Sequence, residues 1–175
     1  MNDKTRAMAR CALFAALIAA CSQLVIPLPM IPINLALFAV NLTGAVLGPR
    51  WGTAAVLVYI MLGVCGVPVF VGFQGGPAAL FGKTGGYMLG YVFDALIVGL
   101  WSRRVGSSVP HLCVSMALGD AACYAFGTAW FMVLTGMGLW ASLTYCVFPF
   151  LIGDAVKIAL AVTLAKALER RRVLV

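Results

Sequence analysis

Apolar residues fill the chain in six long runs, each closed by a short polar or proline- and glycine-bearing break. The first run covers residues 11–26 and stops at Pro27-Leu28-Pro29, with Pro32 just beyond. The second, 33–47, ends at Gly48-Pro49-Arg50, and Trp51 opens the third, 51–67, which stops before Pro68. The fourth, fifth and sixth cover 85–101, 109–134 and 142–168. Runs of this kind approach the roughly 20 residues a helix needs to cross a bilayer. The pattern predicts an all-α integral membrane protein of six transmembrane helices, forming a single transmembrane domain over residues 1–175. Between the third and fourth runs, Val69 to Thr84 is too rich in glycine and too polar for a simple helix, and predicts an irregular outer loop. Trp51, Trp101, Trp130 and Trp140 all fall near predicted helix ends, where indole rings favour the membrane interface. No internal repeat is visible, which speaks against an inverted-repeat transporter.

Composition closes off the other classes. Hydrophobic residues make up 63% of the chain, charged residues 10%, and the mean hydropathy is +1.06. A soluble domain carries about 25% charged residues, and one of this size has no way to hide so much apolar surface. The six cysteines lie in or beside the apolar runs, none spaced as C-x-x-C, and His111 is the single histidine available to join them. They read as small hydrophobic residues rather than metal ligands. No cofactor is expected.

The net charge of +7 suggests a nucleic-acid partner until the positions are followed. Lys4, Arg6 and Arg10 precede the first run, Arg50 follows the second, and Arg103 and Arg104 follow the fourth. Lys166, Arg170, Arg171 and Arg172 close the chain, so six spans place ten of the twelve basic residues on one side. Lys83 falls on the other side and Lys157 within a span. That asymmetry is the positive-inside pattern and predicts a multi-pass membrane protein with both termini cytoplasmic. No nucleic-acid partner is expected. The basic N-terminus reads as the approach to a first span rather than as a cleavable leader.

Four ionisable residues fall inside predicted spans: Asp94, Asp120, Asp154 and Lys157. Charge at membrane depth is costly and marks functional candidates. Asp154 and Lys157 are three residues apart and share a helix face. They form either an internal ion pair that eases insertion or a donor–acceptor wall for a polar ligand. In the glycine-rich loop, Phe70, Phe73, Phe81 and Tyr87 offer apolar faces, and irregular backbone at this depth suits a lid or cavity wall. Gly82-Lys83-Thr84 imitates the end of a phosphate-binding loop, but Pro77 holds the place of its first glycine, so nucleotide binding is not expected. On the first run, Ala12, Ala16 and Ala20 recur every fourth residue. Such a face permits close helix approach, either within this bundle or onto a partner.

The run Gly63–Gly90, GVCGVPVFVGFQGGPAALFGKTGGYMLG, resembles the signature of the BioY family, the biotin-binding S components of energy-coupling-factor (ECF) transporters. Ile31–Val40, the turn Leu47-Gly48-Pro49, Tyr124–Phe131 and Pro149–Lys157 are similar to further family segments. Lys83, Asn34 and Ala36 depart from the common pattern, which often has proline at the first and a threonine–glutamine pattern at the other two. The resemblance implies an outward-opening biotin site covered by loops, with Phe73, Gln74, Thr84, Gly85, Gly86, Tyr87, Asp154 and Lys157 as candidates. It also implies docking through Ala12, Ala16 and Ala20 onto a transmembrane coupling protein, which works with ATP-binding cassette ATPase subunits. The rival readings are an autonomous carrier or channel for a small metabolite, kept in view by Asp94 and Asp120, and a membrane-embedded enzyme, disfavoured by the missing catalytic constellations.

Overall fold

The computed structural model describes residues 2–26 and 31–170. The Pro27-Leu28-Pro29 stop and Arg171 and Arg172 lie outside the described residues. Among the described residues the order is α1 (Asp3–Ser22), β1 (Val25–Ile26), β2 (Ile33–Asn34), α2 (Ala36–Val64), α3 (Pro77–Leu80), α4 (Gly85–Arg104), α5 (Val109–Thr135), α6 (Leu139–Cys146) and α7 (Phe148–Arg170).

Three boundaries differ from the hydrophobic pattern, each for a local reason. The first helix begins earlier than residue 11 and ends at Ser22, because Val25 and Ile26 leave it to pair antiparallel with Asn34 and Ile33. Two of these four residues are isoleucine and one is valine, which suit an extended pair. The second starts at Ala36 rather than Ile33, where the Asn34 side-chain oxygen accepts a hydrogen bond from the Ala36 N–H at 3.0 Å. The sixth run is broken at Val147 into α6 and α7. Pro149 sits in the first turn of α7, where its missing N–H is tolerated, but the same residue prevents one helix from running through.

Gly48 carries the central reversal. Its φ of 77° and ψ of −176° lie outside helical space, and Pro49 follows, so α2 consists of limbs 36–47 and 49–64. A Cβ on Gly52 would stand 3.1 Å from the Gly44 Cα, a contact that eight residues of straight helix could never make. The chain therefore doubles back here, as the break between the second and third runs predicts.

The helix α4 is the hub and packs chiefly on α5 and α2. Glycines set the α4–α5 approach: a Cβ on Gly90 would lie 2.9 Å from the Cys123 Cα, and a Cβ on Gly127 would run into the Tyr87 ring. Small residues at such crossings let backbones come together in lipid. Two apolar clusters form the interior, one around Ile18, Val40, Tyr59 and Phe131, the other around Phe14, Leu42, Leu112 and Met116. Asn41, Asp94 and Asp120, all buried, lie on the same central helices, and Asn41 donates to Asp120 at 2.8 Å. Large apolar side chains cover the exterior too; Val133 is 84% exposed and Ile152 83%. Among the described residues, α1, α2, α5 and the 139–170 stretch are long and apolar enough to cross a membrane. Apolar residues inside and out, with the core stripe no longer distinct, are what a bilayer environment selects.

Candidate functional site

Five elements converge at the end of the bundle where α2 and α4 begin. β2 brings Asn34, the start of the first α2 limb brings Leu37, and the second limb brings Tyr59. Thr84 just before α4 and Tyr87 and Tyr91 in its first two turns join Cys123 and Tyr124 from the middle of α5, and early α7 brings Phe150, Asp154 and Lys157. These residues line a cavity of about 40 Å³, with Val71 reaching in from the loop.

Its charged heart is the pair on α7. Lys157 donates to Asp154 Oδ1 at 2.9 Å, and the Tyr124 hydroxyl donates to Asp154 Oδ2. Asp154 is 4% exposed and Lys157 6%, so both charges are removed from water. A lone buried charge is prohibitively costly, whereas a paired and hydrogen-bonded one is tolerated. The carboxylate is fixed by one donor on each oxygen, and it in turn orients the ammonium. Lys157 keeps two N–H groups beyond that bond, and the Asp154 oxygens keep further lone pairs. Around the pair, Tyr124 meets Tyr87 edge-on at 6.4 Å between centroids and Phe150 at 6.3 Å. The cavity thus combines aromatic walls with one compact donor–acceptor edge.

A latch holds the loop that follows α2. Gln23, just past α1, donates through Nε2 to the carbonyls of Val69 and Phe70, each at 3.0 Å, and its Oε1 accepts from the Phe73 N–H at 2.9 Å. The Ser22 hydroxyl adds a 2.6 Å bond to the Val69 carbonyl. The fully buried Phe70 ring packs against Gly63 and meets Tyr59 edge-on at 5.6 Å. The loop is thereby pinned at its root.

Of the eight residues expected at the site, Thr84, Tyr87, Asp154 and Lys157 line the cavity. Gly85 and Gly86 are buried in the first turn of α4 without lining it; a Cβ at Gly86 would run into Trp130, so this glycine sets helix packing. Phe73 and Gln74 do not line the cavity: both are exposed on the loop, and Phe73, with a φ of 57°, turns its ring outward at 71% exposure. The tight turn that lets Gln74 bridge back to Phe70 carries them away from the cavity. Sequence reasoning missed Asn34, Tyr59, Tyr91 and Tyr124 as lining residues and Gln23 as the latch. Tyr87 and Tyr91 stand four residues apart and so share a face, a signal the sequence did contain. Nothing local to Gln23 marks it, since its partners lie 46 to 50 residues away.

Ala12, Ala16 and Ala20 are exposed, while Phe14, Ala15 and Ile18 on the same helix face the interior. The alanine stripe does not pack within this bundle. Lys83 is exposed, and Asp94 is fully buried with neither carboxylate oxygen bonded to another described residue.

Known proteins with this architecture bear on the reading. A solved structure described as the "S-component for biotin from an ECF-type ABC transporter" superposes with a TM-score of 0.90 at 26% identity, covering 97% of this chain and 95% of that one. A Thermotoga maritima protein named "Biotin transporter BioY" is 33% identical over 168 residues, 96% of this chain and 98% of its own length. The "Probable biotin transporter BioY" of Pyrococcus horikoshii is 34% identical over 166 residues, 95% of this chain and 98% of its own. The BioY family profile matches residues 1–173, so this chain belongs to the BioY family.

Proposed function

We propose that the protein is the biotin-binding membrane subunit of an ECF-type vitamin importer, with no ATPase activity of its own. The observation that carries this is the buried Asp154–Lys157 pair inside an aromatic-walled cavity. Biotin offers a ureido group with adjacent N–H and C=O functions, an apolar thiophane ring and a carboxylate. An ion pair offers an acceptor and a donor side by side and little net charge, so it suits the ureido edge better than the carboxylate. Thr84, Asn34 and the tyrosine hydroxyls supply further neutral partners for the remaining polar atoms, and the aromatic walls take the ring.

The partners are a transmembrane coupling protein, met through the exposed Ala12, Ala16 and Ala20 face, and the ATP-binding cassette ATPase subunits that work with it. The cell membrane of a bacterium is the setting, with both termini cytoplasmic, as the basic residues at one end support. The purified subunit should melt at a higher temperature with biotin, because a ligand of the native state stabilises it by mass action. It should not hydrolyse ATP. An unmoved midpoint at saturating biotin, or ATPase activity surviving rigorous removal of partner proteins, overturns the assignment. One observation favours a second reading, autonomous carriage: Asp94 lies fully buried on the central helix. Biotin uptake into proteoliposomes holding this subunit alone, driven by an ion gradient, would establish that reading instead.

A further inference from the structure

At the opposite end of the bundle from the biotin cavity lies a much larger hollow of about 440 Å³. It is framed by the N-terminal part of α1, the Gly48 turn of α2, the end of α4, the start of α5 and the end of α7. Its volume is in the range of genuine ligand sites, roughly 300–1,000 Å³. Two guanidiniums line it, Arg10 from α1 and Arg103 from α4. Arg103 lies along Gly48, where a side chain would stand 2.8 Å from its Nε. Neither arginine has a carboxylate or side-chain hydrogen-bond partner among the described residues. The one carboxylate on the wall, Glu169, is already held by Lys166 at 2.5 Å and by the Ser107 hydroxyl at 3.0 Å. Those two bonds leave it locally matched. Leu47, Leu112, Leu168 and Trp51 give the wall an apolar stretch, and Ser102 and Ser107 add hydroxyls to the polar side.

We propose that this hollow binds the phosphate headgroup of an anionic phospholipid, with Arg10 and Arg103 as its charge partners and the leucine wall receiving the start of an acyl chain. The arginine fork matches phosphate oxygens in a bidentate manner. Basic pockets between membrane helices, at the level of the headgroups, meet that chemistry in the bilayer itself. The hollow sits at the end that carries most of the basic residues and opens beside helices whose outer faces are apolar. A phosphate with an apolar tail satisfies both halves of this wall; a free phosphate satisfies one.

The test compares nanodiscs of phosphatidylcholine alone with nanodiscs containing roughly a fifth phosphatidylglycerol, reading thermal midpoint and the lipid retained in native mass spectrometry. The parent should retain phosphatidylglycerol over phosphatidylcholine and melt higher in its presence. Arg10→Gln with Arg103→Gln should lower that preference by roughly 25-fold, from about fivefold per arginine. Arg50→Gln with Arg104→Gln, which removes two charges outside the hollow, should keep it. Both double variants should still melt higher with biotin, whose cavity is at the other end. Equal loss in the two double variants, or loss in neither, overturns the site. Glycerol phosphate raising the midpoint in phosphatidylcholine discs as far as phosphatidylglycerol does would make the ligand a soluble phosphate and overturn the lipid assignment. A tightly co-purifying protein seated there, displaced by the Arg10/Arg103 change alone, would overturn it as well.

Discussion

At the residue scale, Asp154 is the pivot, because it takes a donor on each oxygen and so fixes both Lys157 and Tyr124. Removing one member of a buried ion pair costs about 3–5 kcal/mol, since the other charge is left uncompensated. Asp154→Asn and Lys157→Ala should therefore each lower the melting midpoint and abolish the biotin-induced shift. Those losses alone do not separate binding from folding. Asp154→Leu combined with Lys157→Met should, because apolar replacement of a whole buried pair is often neutral for stability. This double variant should recover most of the midpoint while staying unresponsive to biotin; a restored response would mean that the pair serves the fold only. The sequence disclosed the pair through its spacing, since three residues on a helix fix the geometry without reference to anything else. It did not disclose Tyr124, whose bond to Asp154 spans 30 residues and depends on how α5 crosses α7.

At the element scale, the legible features were those governed by local chemistry. Gly48-Pro49 breaks α2 where the hydrophobic pattern ends a span, and Gly136, with a φ of 68°, closes α5 close to its predicted end. The misread boundaries at Ser22, Ala36 and Val147 all depend on contacts made after folding or on a proline whose effect could equally have been a kink. The glycine-rich loop belongs to the same category. Its glycines and aromatics announced an irregular segment, but Phe73 and Gln74 point away from the cavity because Gln23 and the Phe70–Gln74 bridge set the turn. Gln23→Ala removes three hydrogen bonds to the loop backbone at once, at Val69, Phe70 and Phe73. Hydrogen exchange at the amide of Phe73 should then accelerate at least tenfold, while amides in the middle of α5 keep their protection. Unchanged exchange at Phe73 would show that the loop holds its shape without the latch.

For the whole molecule, one end gathers basic side chains and the other gathers the cavity around Asp154, so a substitution can be placed away from the cavity lining. Ala16 illustrates the consequence. It is exposed on α1 and is not among the residues that line the cavity around Asp154. A bulky side chain there blocks close helix approach. Ala16→Trp should abolish co-purification with the coupling protein and ATP-dependent uptake, yet leave the biotin-induced thermal shift intact. Loss of the shift as well would mean that this face supports the bundle itself. The cavity's size carries a further consequence, for time rather than place. A volume of about 40 Å³ is far below the roughly 300 Å³ at which small-molecule sites begin, so the form described is unreceptive. Capture then includes an isomerisation, and the measured dissociation constant is the intrinsic one divided by the receptive fraction. In a stopped-flow experiment the observed rate should level off at high biotin concentration, at the rate of that isomerisation; a rate climbing linearly throughout would mean that the vitamin meets an already open site.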